Sequence, residues 1–370
     1  MRDRVVAALA CLQPGIDPVF LVLLSGNPAI PLSSHGLIVS ASQLGMMLGA
    51  VFYWRLPGRI GRGRAALVAA AALATSLMTA FADTVAVLVA LRALYGLGTG
   101  ILYTRAASAA AARNAPQAFG TIFLMQLLLS SLVAAVLPWL AGQAGPAIGL
   151  AALAIGPATI LILLALSRGP EAQARPRFAA TTRATDKAGS IAAAAALFLF
   201  ICATMMIWSH VGAAAMEAGL DDGEIGWGVA IGSLSGAVPA IASSYLRSRL
   251  PLLIGAGASA LAMISPLLFG GVMDVVTFTI LMVLFNVGST YVIIRCSALA
   301  VELNPTGFMR RAASAMHPAG MIAGPMIGFI AMRFNGPVGL IDMAVVAVSA
   351  AMVALTMARS NAARWRLLKA

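Results

Sequence analysis

Charged residues are scarce in this sequence. Asp, Glu, Lys and Arg make up 10% of the 370 residues, whereas hydrophobic residues make up 61%. Soluble domains carry about 25% charged residues, so this chain has too little polar material to cover a core of its own size. The composition excludes an ordinary soluble domain and predicts an all-helical integral membrane protein.

Acidic residues and cysteines are also few. Twelve acidic against 24 basic residues give a net charge of +12. In a soluble protein this excess would suggest a nucleic-acid partner. In a membrane protein it indicates basic cytoplasmic loops, so the expected partner is the lipid bilayer and no nucleic acid. Cys11, Cys202 and Cys296 form no CxxC or Cys/His pattern, so we expect no metal site and no cofactor.

Long apolar segments, by contrast, run through the whole chain. A helix needs about 20 apolar residues to cross the hydrocarbon core of a bilayer. The chain offers twelve such segments, at about 5–25, 31–54, 63–82, 86–107, 117–141, 145–167, 190–214, 223–245, 251–271, 275–297, 311–332 and 337–358.

The loops between these segments alternate in charge. Almost all Arg and Lys residues fall in every second loop and at both termini, and the loops between them carry Asp83, Glu217, Asp221, Asp222, Glu224, Asp274 and Asp342. Because positive charge resists translocation, the pattern predicts a multi-pass protein with both termini in the cytoplasm. The excess of arginine over lysine and the abundant alanine are typical of a GC-rich bacterial gene, hence of a bacterial inner membrane.

A polar linker divides the chain into two parts of six segments each. Residues 168–189 are basic and rich in Pro, Ala and Thr, between an N-terminal half, 1–167, and a C-terminal half, 190–370. The halves also share short matches: "GMMLGAV" at 45–51 aligns with "GSLSGAV" at 232–238, and a separate alignment of the fourth with the tenth segment places Arg105 on Arg295. The layout favours two pseudo-symmetric six-helix bundles.

Two motifs carry a resemblance to a known family. "RALYGLGTG", residues 92–100, matches the pattern Arg-x-x-x-Gly-x-Gly-x-Gly in the fourth segment, and "RIGRGR", residues 59–64, follows the second segment. Both resemble signatures of the major facilitator superfamily of secondary transporters. The second match is partial, because Gly58 replaces the acid of the family's loop motif and Trp54 its first glycine.

The resemblance implies a secondary transporter in which a small solute binds between the halves and the halves rock to expose it on alternate sides. A third family motif, a glycine-proline run typical of drug/proton antiporters, is missing from the fifth segment, although a similar pattern occurs at 320–328. No catalytic triad or metal motif is present, so we expect no enzyme. The alternatives are an uncoupled facilitator, an anion exchanger and a non-transporting membrane sensor.

Asp17 and Arg92 are charges inside apolar segments, where an unpaired charge is costly. They lie at similar predicted depths in the first and fourth segments. The resemblance implies a proton-coupling pair, since proton-coupled members of the superfamily use an acid and an arginine in these helices. A static structural pair, or an Asp17 that caps the kink near Pro14, remains an alternative.

Arginines near the cytoplasmic face and glycines in the fourth segment form two further groups. Arg59, Arg62, Arg105 and Arg295 are candidates for a cytoplasmic gate; Arg105 and Arg295 in particular either extend to lipid headgroups or bind an anionic substrate. Gly96, Gly98 and Gly100 are expected to allow close helix packing.

Several polar residues within the apolar segments are candidates for the substrate cavity. Each of them either lines the cavity or forms a hydrogen bond between helices. They are Gln43, Gln126, Trp208, His210, Asn286 and His317. We expect a monomer that binds a small-molecule substrate and, if coupled, protons.

Overall fold

The structure is a computed structural model, and it describes residues 1–55, 60–111, 115–166, 187–245, 252–268, 273–303 and 307–367. Helices account for the regular secondary structure of these residues, apart from a short 3-10 turn at Leu32–Ser34. A helix satisfies its own backbone hydrogen bonds, which is why apolar segments adopt it in lipid. The α-helices are α1 (Arg2–Ala10), α2 (Gln13–Ser25), α3 (His35–Arg55), α4 (Arg62–Thr79), α5 (Val85–Ala111), α6 (Ala115–Ala144), α7 (Pro146–Ala152), α8 (Ile155–Ala165), α9 (Lys187–Trp208), α10 (Val211–Glu217), α11 (Asp222–Ser235), α12 (Ala237–Tyr245), α13 (Leu252–Leu268), α14 (Val275–Leu303) and α15 (Gly307–Leu367).

Eight helical segments of the described chain are long and apolar enough to cross a membrane. Three of them join helices that follow one another directly: α1 with α2, α7 with α8, and α9 with α10. The longest, Met316–Ser360, contains Gly336, whose φ of 58° and ψ of −152° are not helical. The protein is therefore a helical, multi-pass membrane protein, and α15 consists of two helices that meet at Gly336.

The break between α1 and α2 follows from Pro14, and a second proline, Pro18, lies inside α2. Pro14 and Pro18 lack a backbone N–H, so the carbonyls of Ala10 and Pro14, four residues earlier, lose their intrahelical donors. The chain turns at Cys11 and Leu12 and then continues as α2. This predicted segment is thus a bent helix whose turn lies close to Asp17.

The two ends of the bundle differ in charge. At one end α4, α10 and α13 terminate beside the exposed residues Asp83, Glu217 and Asp274; we call it the acidic end. At the other, Arg4 donates from Nη1 to Thr121 Oγ1 at 3.4 Å and Arg105 contacts the segment before α4; we call it the basic end.

The apolar core is shared at one end of the bundle and divided at the other. Toward the acidic end one cluster of buried side chains includes residues of both halves, such as Phe20, Leu137, Phe200 and Phe285. Toward the basic end one described cluster comes from α1, α4, α5, α6 and α8, with Ile60, and another from α9, α14 and α15. In the described residues the halves are thus packed together near the acidic end and form separate cores near the basic end.

Candidate functional site

Asp17 lies near the start of α2, just after the bend between α1 and α2. It is buried, with 1% of its surface exposed. Gln13 Nε2 donates to Asp17 Oδ1 at 2.8 Å, and the side chain of Gln43 on α3 also faces the carboxyl group. Among the described residues, Asp17 Oδ2 has no hydrogen-bond partner. A buried carboxyl oxygen without a donor is costly as an anion.

Arg92 on α5 is buried between two aromatic rings. Its guanidinium carbon lies 4.6 Å from the ring centroid of Phe20 on α2 and 4.5 Å from that of Tyr95. Its Nη2 donates to Ser42 Oγ at 3.0 Å, whereas Nε has no partner. Cation–π contacts and one neutral hydrogen bond thus hold this charge in an apolar environment.

Asp17 and Arg92 belong to one buried cluster and attract each other electrostatically. They do not form an ion pair within 4.0 Å, whereas Arg2 Nη2 and Asp3 Oδ1 are paired at 3.6 Å near the start of α1. The fold therefore places Asp17 and Arg92 close together without a direct ion pair between them. Each group keeps one polar atom free, and small movements of α2 against α5 would change their separation.

Glycines set the distance between α5 and α3. A Cβ at Gly96 would meet the carbonyl oxygen of Ser42, and one at Gly100 the carbonyl oxygen of Met46. Gly98 faces α4 instead, where a Cβ would lie 3.3 Å from Ala72 Cβ. The close approach brings Ser42 within reach of Arg92, so the glycines of this motif position the charged cluster through backbone packing.

Trp208, predicted for the cavity, connects the halves. Its Nε1 donates to the carbonyl oxygen of Pro14 at 2.8 Å, across from α9 to α2. Its ring stacks on Phe285 of α14, with centroids 5.7 Å apart and an interplanar angle of 3°. The structure therefore places Trp208 at the contact between the halves, and its acceptor, Pro14, lies three residues before Asp17.

The other predicted cavity residues differ in their hydrogen-bond partners. Gln126 Nε2 donates to Ser130 Oγ at 3.2 Å within α6, and Asn286 Nδ2 donates to its own helix at the Met282 carbonyl, 2.9 Å away. His210 is buried with Nδ1 at 2.9 Å from the Met206 carbonyl oxygen, while Nε2 has no partner. His317 on α15 is exposed. Gln43 faces the Asp17 carboxyl group, and Gln126 packs against Gly15, two residues before Asp17, where an added Cβ would lie 2.6 Å from Gln126 Nε2.

The predicted gate arginines have different surroundings. Arg105 Nε donates to the Ile60 carbonyl oxygen at 3.3 Å, within the N-terminal half. Arg295 Nε is buried and has no hydrogen-bond partner in the part of the chain that the structure describes. Arg62 begins α4, and Arg59 lies outside the described residues. Arg105 therefore contacts the chain just before α4.

Serines form two connections between the halves that sequence reasoning missed. Ser40 Oγ donates to the Ile322 carbonyl oxygen at 3.0 Å, and Ser131 Oγ to the Ala230 carbonyl oxygen at 2.8 Å. Both bonds lie between the middle of the bundle and the acidic end. A serine in an apolar helix gives no sequence signal that distinguishes such a bond from a bond to its own helix. In the described part of the chain, no group of three or more His, Cys, Asp or Glu could hold a metal ion.

Comparison with known proteins agrees with this architecture. The family model described as Major Facilitator Superfamily matches residues 7–329. The fold is that of a polytopic membrane transporter, and the chain belongs to the Major Facilitator Superfamily. No curated protein matches the sequence.

Solved structures share the fold at low sequence identity. A mutant of the nucleoside transporter NupG superposes with a TM-score of 0.72 at 14% identity, over 97% of this chain and 98% of that one. The POT family transporter PepTSo gives 0.70 at 12% identity, over 97% and 98%. A bacterial homologue of the human lysosomal transporter Spinster, inward-facing and occupied, gives 0.65 at 12% identity, over 97% and 96%.

Proposed function

We propose that the protein is a twelve-helix secondary transporter that moves a small solute by rocking its two six-helix halves. The observation that carries this proposal is the divided core: both halves share buried side chains near the acidic end and keep separate ones near the basic end. In alternating access, each conformational state keeps the two halves in contact at one end of the bundle and apart at the other. The non-helical Gly336, which divides α15, supports a count of twelve.

The orientation follows from the charges. Basic residues stay on the cytoplasmic side, so the basic end is proposed to face the cytoplasm, with both termini there. The described state is then open inward and closed outward. A bacterial inner membrane is proposed from the arginine-rich, alanine-rich composition.

Coupling to protons is proposed to act through Asp17. Its Oδ2 lacks a donor, and Arg92 lies near but beyond 4.0 Å. In this scheme Asp17 binds a proton when α2 moves away from Arg92 and releases it when the two approach, since the nearby positive charge favours the carboxylate. The absence of an ion pair in the described state supports this over a static pair.

Anion exchange is a second candidate, favoured by the unpartnered Nε of Arg295. An anion site formed by Arg105 and Arg295 together has less support, because Arg105 donates to the Ile60 carbonyl oxygen. A single arginine in the C-terminal half would then bind the anion.

The test begins with a ligand. A thermal-shift screen of metabolites and drugs identifies compounds that raise the unfolding temperature, because a ligand of the folded state stabilises it by mass action. The labelled ligand is then used for counterflow in vesicles that contain the purified protein. Exchange above that of empty vesicles supports transport, and a ligand that binds without any exchange contradicts it in favour of a sensor.

A further inference from the structure

We propose that Trp208 is a positioning residue that holds the acidic end closed, by donating its indole N–H to a backbone carbonyl that Pro18 leaves without an intrahelical donor. The role in a transport cycle rests on the proposed function, whereas the closure itself does not.

The acceptor exists because of one proline. In an α-helix the carbonyl of Pro14 would accept a hydrogen bond from the N–H of residue 18, but Pro18 has no N–H. A carbonyl without a donor in the hydrocarbon region is costly. Trp208 Nε1, at 2.8 Å, satisfies it from the other half of the protein.

The indole of Trp208 is held in place by contacts within the C-terminal half. Trp208 is 5% exposed and stacks on Phe285, with ring centroids 5.7 Å apart. Because the indole is packed between α9 and α14, it cannot follow α2 when the halves separate. Opening of the acidic end therefore breaks this bond and leaves the Pro14 carbonyl without its donor, which favours the closed state.

A second bond between the halves lies at another proline-containing turn. Ser40 Oγ donates at 3.0 Å to the Ile322 carbonyl oxygen, three residues before Pro325. Pro325 removes the intrahelical donor of the Met321 carbonyl and not that of Ile322, so this bond is a contact near a proline and not a replacement for a missing helical donor. Close packing supports the contact, because a Cβ at Gly36 would meet the Pro325 carbonyl oxygen. The halves thus contact each other twice at proline-containing turns.

The position of the bond links closure to the proposed coupling residue. Pro14 and Asp17 share one turn of α2, and Gln13 in the same turn donates to Asp17 Oδ1 at 2.8 Å. The Trp208 bond therefore also positions the turn that carries the carboxyl group. Loss of the bond is expected to change the conformational equilibrium and not stability alone.

The experiment measures a distance between the halves without substrate. Spin labels are placed at Asp83→Cys and Asp274→Cys, two exposed positions at the acidic end, one on each half. Cys11, Cys202 and Cys296 are first replaced by alanine. Pulsed electron paramagnetic resonance in lipid nanodiscs then gives the fractions of closed and open molecules.

Trp208→Phe keeps a ring for stacking and removes the N–H. Pro18→Ala keeps Trp208 and supplies the missing backbone N–H to the Pro14 carbonyl. Each is expected to raise the ratio of open to closed molecules about two- to tenfold, the range for loss of one hydrogen bond. Because both substitutions act on the same hydrogen bond, the ratio of open to closed molecules in the double variant is expected to rise no further than in the more strongly affected single variant.

Trp227→Phe is the matched control, since Trp227 on α11 is 59% exposed, and it is expected to leave the distances unchanged. A Trp208→Phe variant with the parent's distance distribution overturns the proposal, even if its unfolding temperature falls. Fully additive shifts in the double variant also overturn it. If Trp208→Phe does not fold, Pro18→Ala decides alone, and an unchanged distribution refutes the proposal. The distance measurement uses no substrate, so it can refute the closing role of Trp208 whether or not the protein transports a solute. Counterflow tests transport separately.

Discussion

Asp17 and Arg92 lie in one buried cluster, yet their charged groups do not form an ion pair within 4.0 Å. Each is stabilised instead by neutral partners: Gln13 for the carboxyl group, and Ser42 with two aromatic rings for the guanidinium. A tight buried ion pair would be hard to separate, because each charge alone would be left uncompensated. The looser arrangement supports the proposed exchange of a proton at this carboxyl group.

Asp17→Asn is expected to uncouple transport from protons. The amide keeps the shape of the side chain and cannot exchange a proton, so accumulation of the ligand in vesicles with a pH gradient should fall to a ratio of about one. Counterflow without a gradient should remain. The control is Asp83→Asn in an exposed loop at the acidic end. An Asp17→Asn variant that keeps full gradient-driven accumulation would assign coupling to another residue.

Arg92→Lys is expected to destabilise the protein although it keeps the charge. A lysine ammonium lacks the planar group that lies against both Phe20 and Tyr95. Loss of these contacts should cost about 1–3 kcal/mol, which a lower unfolding midpoint in detergent would reveal. Arg359→Lys, at an exposed position of α15, is the control. Equal midpoints for the two variants would show that the ring contacts contribute little.

Gly96→Ala is expected to separate α5 from α3. The added Cβ would meet the Ser42 carbonyl oxygen, which belongs to the backbone and cannot rotate away. Overpacking of this kind typically costs about 1–3 kcal/mol, and it should also weaken transport by moving Ser42 from Arg92.

Gly142→Ala is the matched control for that change. Gly142 also lies in a helix, but a Cβ there would have nothing within 4 Å, so the variant should be neutral or stabilised by up to about 1 kcal/mol. Thermal unfolding and counterflow check both variants. Equal tolerance of alanine at the two sites would contradict the close packing of α5 on α3.

Arg105→Gln and Arg295→Gln are expected to have different effects. Loss of the bond from Arg105 Nε to the Ile60 carbonyl oxygen should lower the unfolding midpoint. Arg295 Nε has no hydrogen-bond partner, so its neutralisation should leave stability nearly unchanged and, if the ligand is an anion, weaken its binding. The thermal-shift response to the ligand checks this, and a normal response in Arg295→Gln would exclude the anion-binding role.

Much of the fold could be predicted from the sequence, and less of the site. The apolar segments overlap the helices because length and hydropathy are local properties. The motif from Arg92 to Gly100 indicated the family, since its spacing is also local. The contact of Trp208 with Pro14 could not be predicted, because the two residues are 194 positions apart. Gln126 and Asn286 looked equivalent to Gln43 in sequence, but they bond within their own helices.

The sequence by itself determined that this chain is a membrane protein with basic and acidic loops in alternation. Its charge is too scarce to cover a soluble core, and its long apolar segments can satisfy their backbone hydrogen bonds in lipid as helices. Only the tertiary structure decided which polar residues meet. A serine, glutamine or tryptophan in hydrocarbon must find a hydrogen-bond partner, and whether that partner lies in its own helix, such as Met282 for Asn286, or in the other half, such as Pro14 for Trp208, depends on how the helices pack.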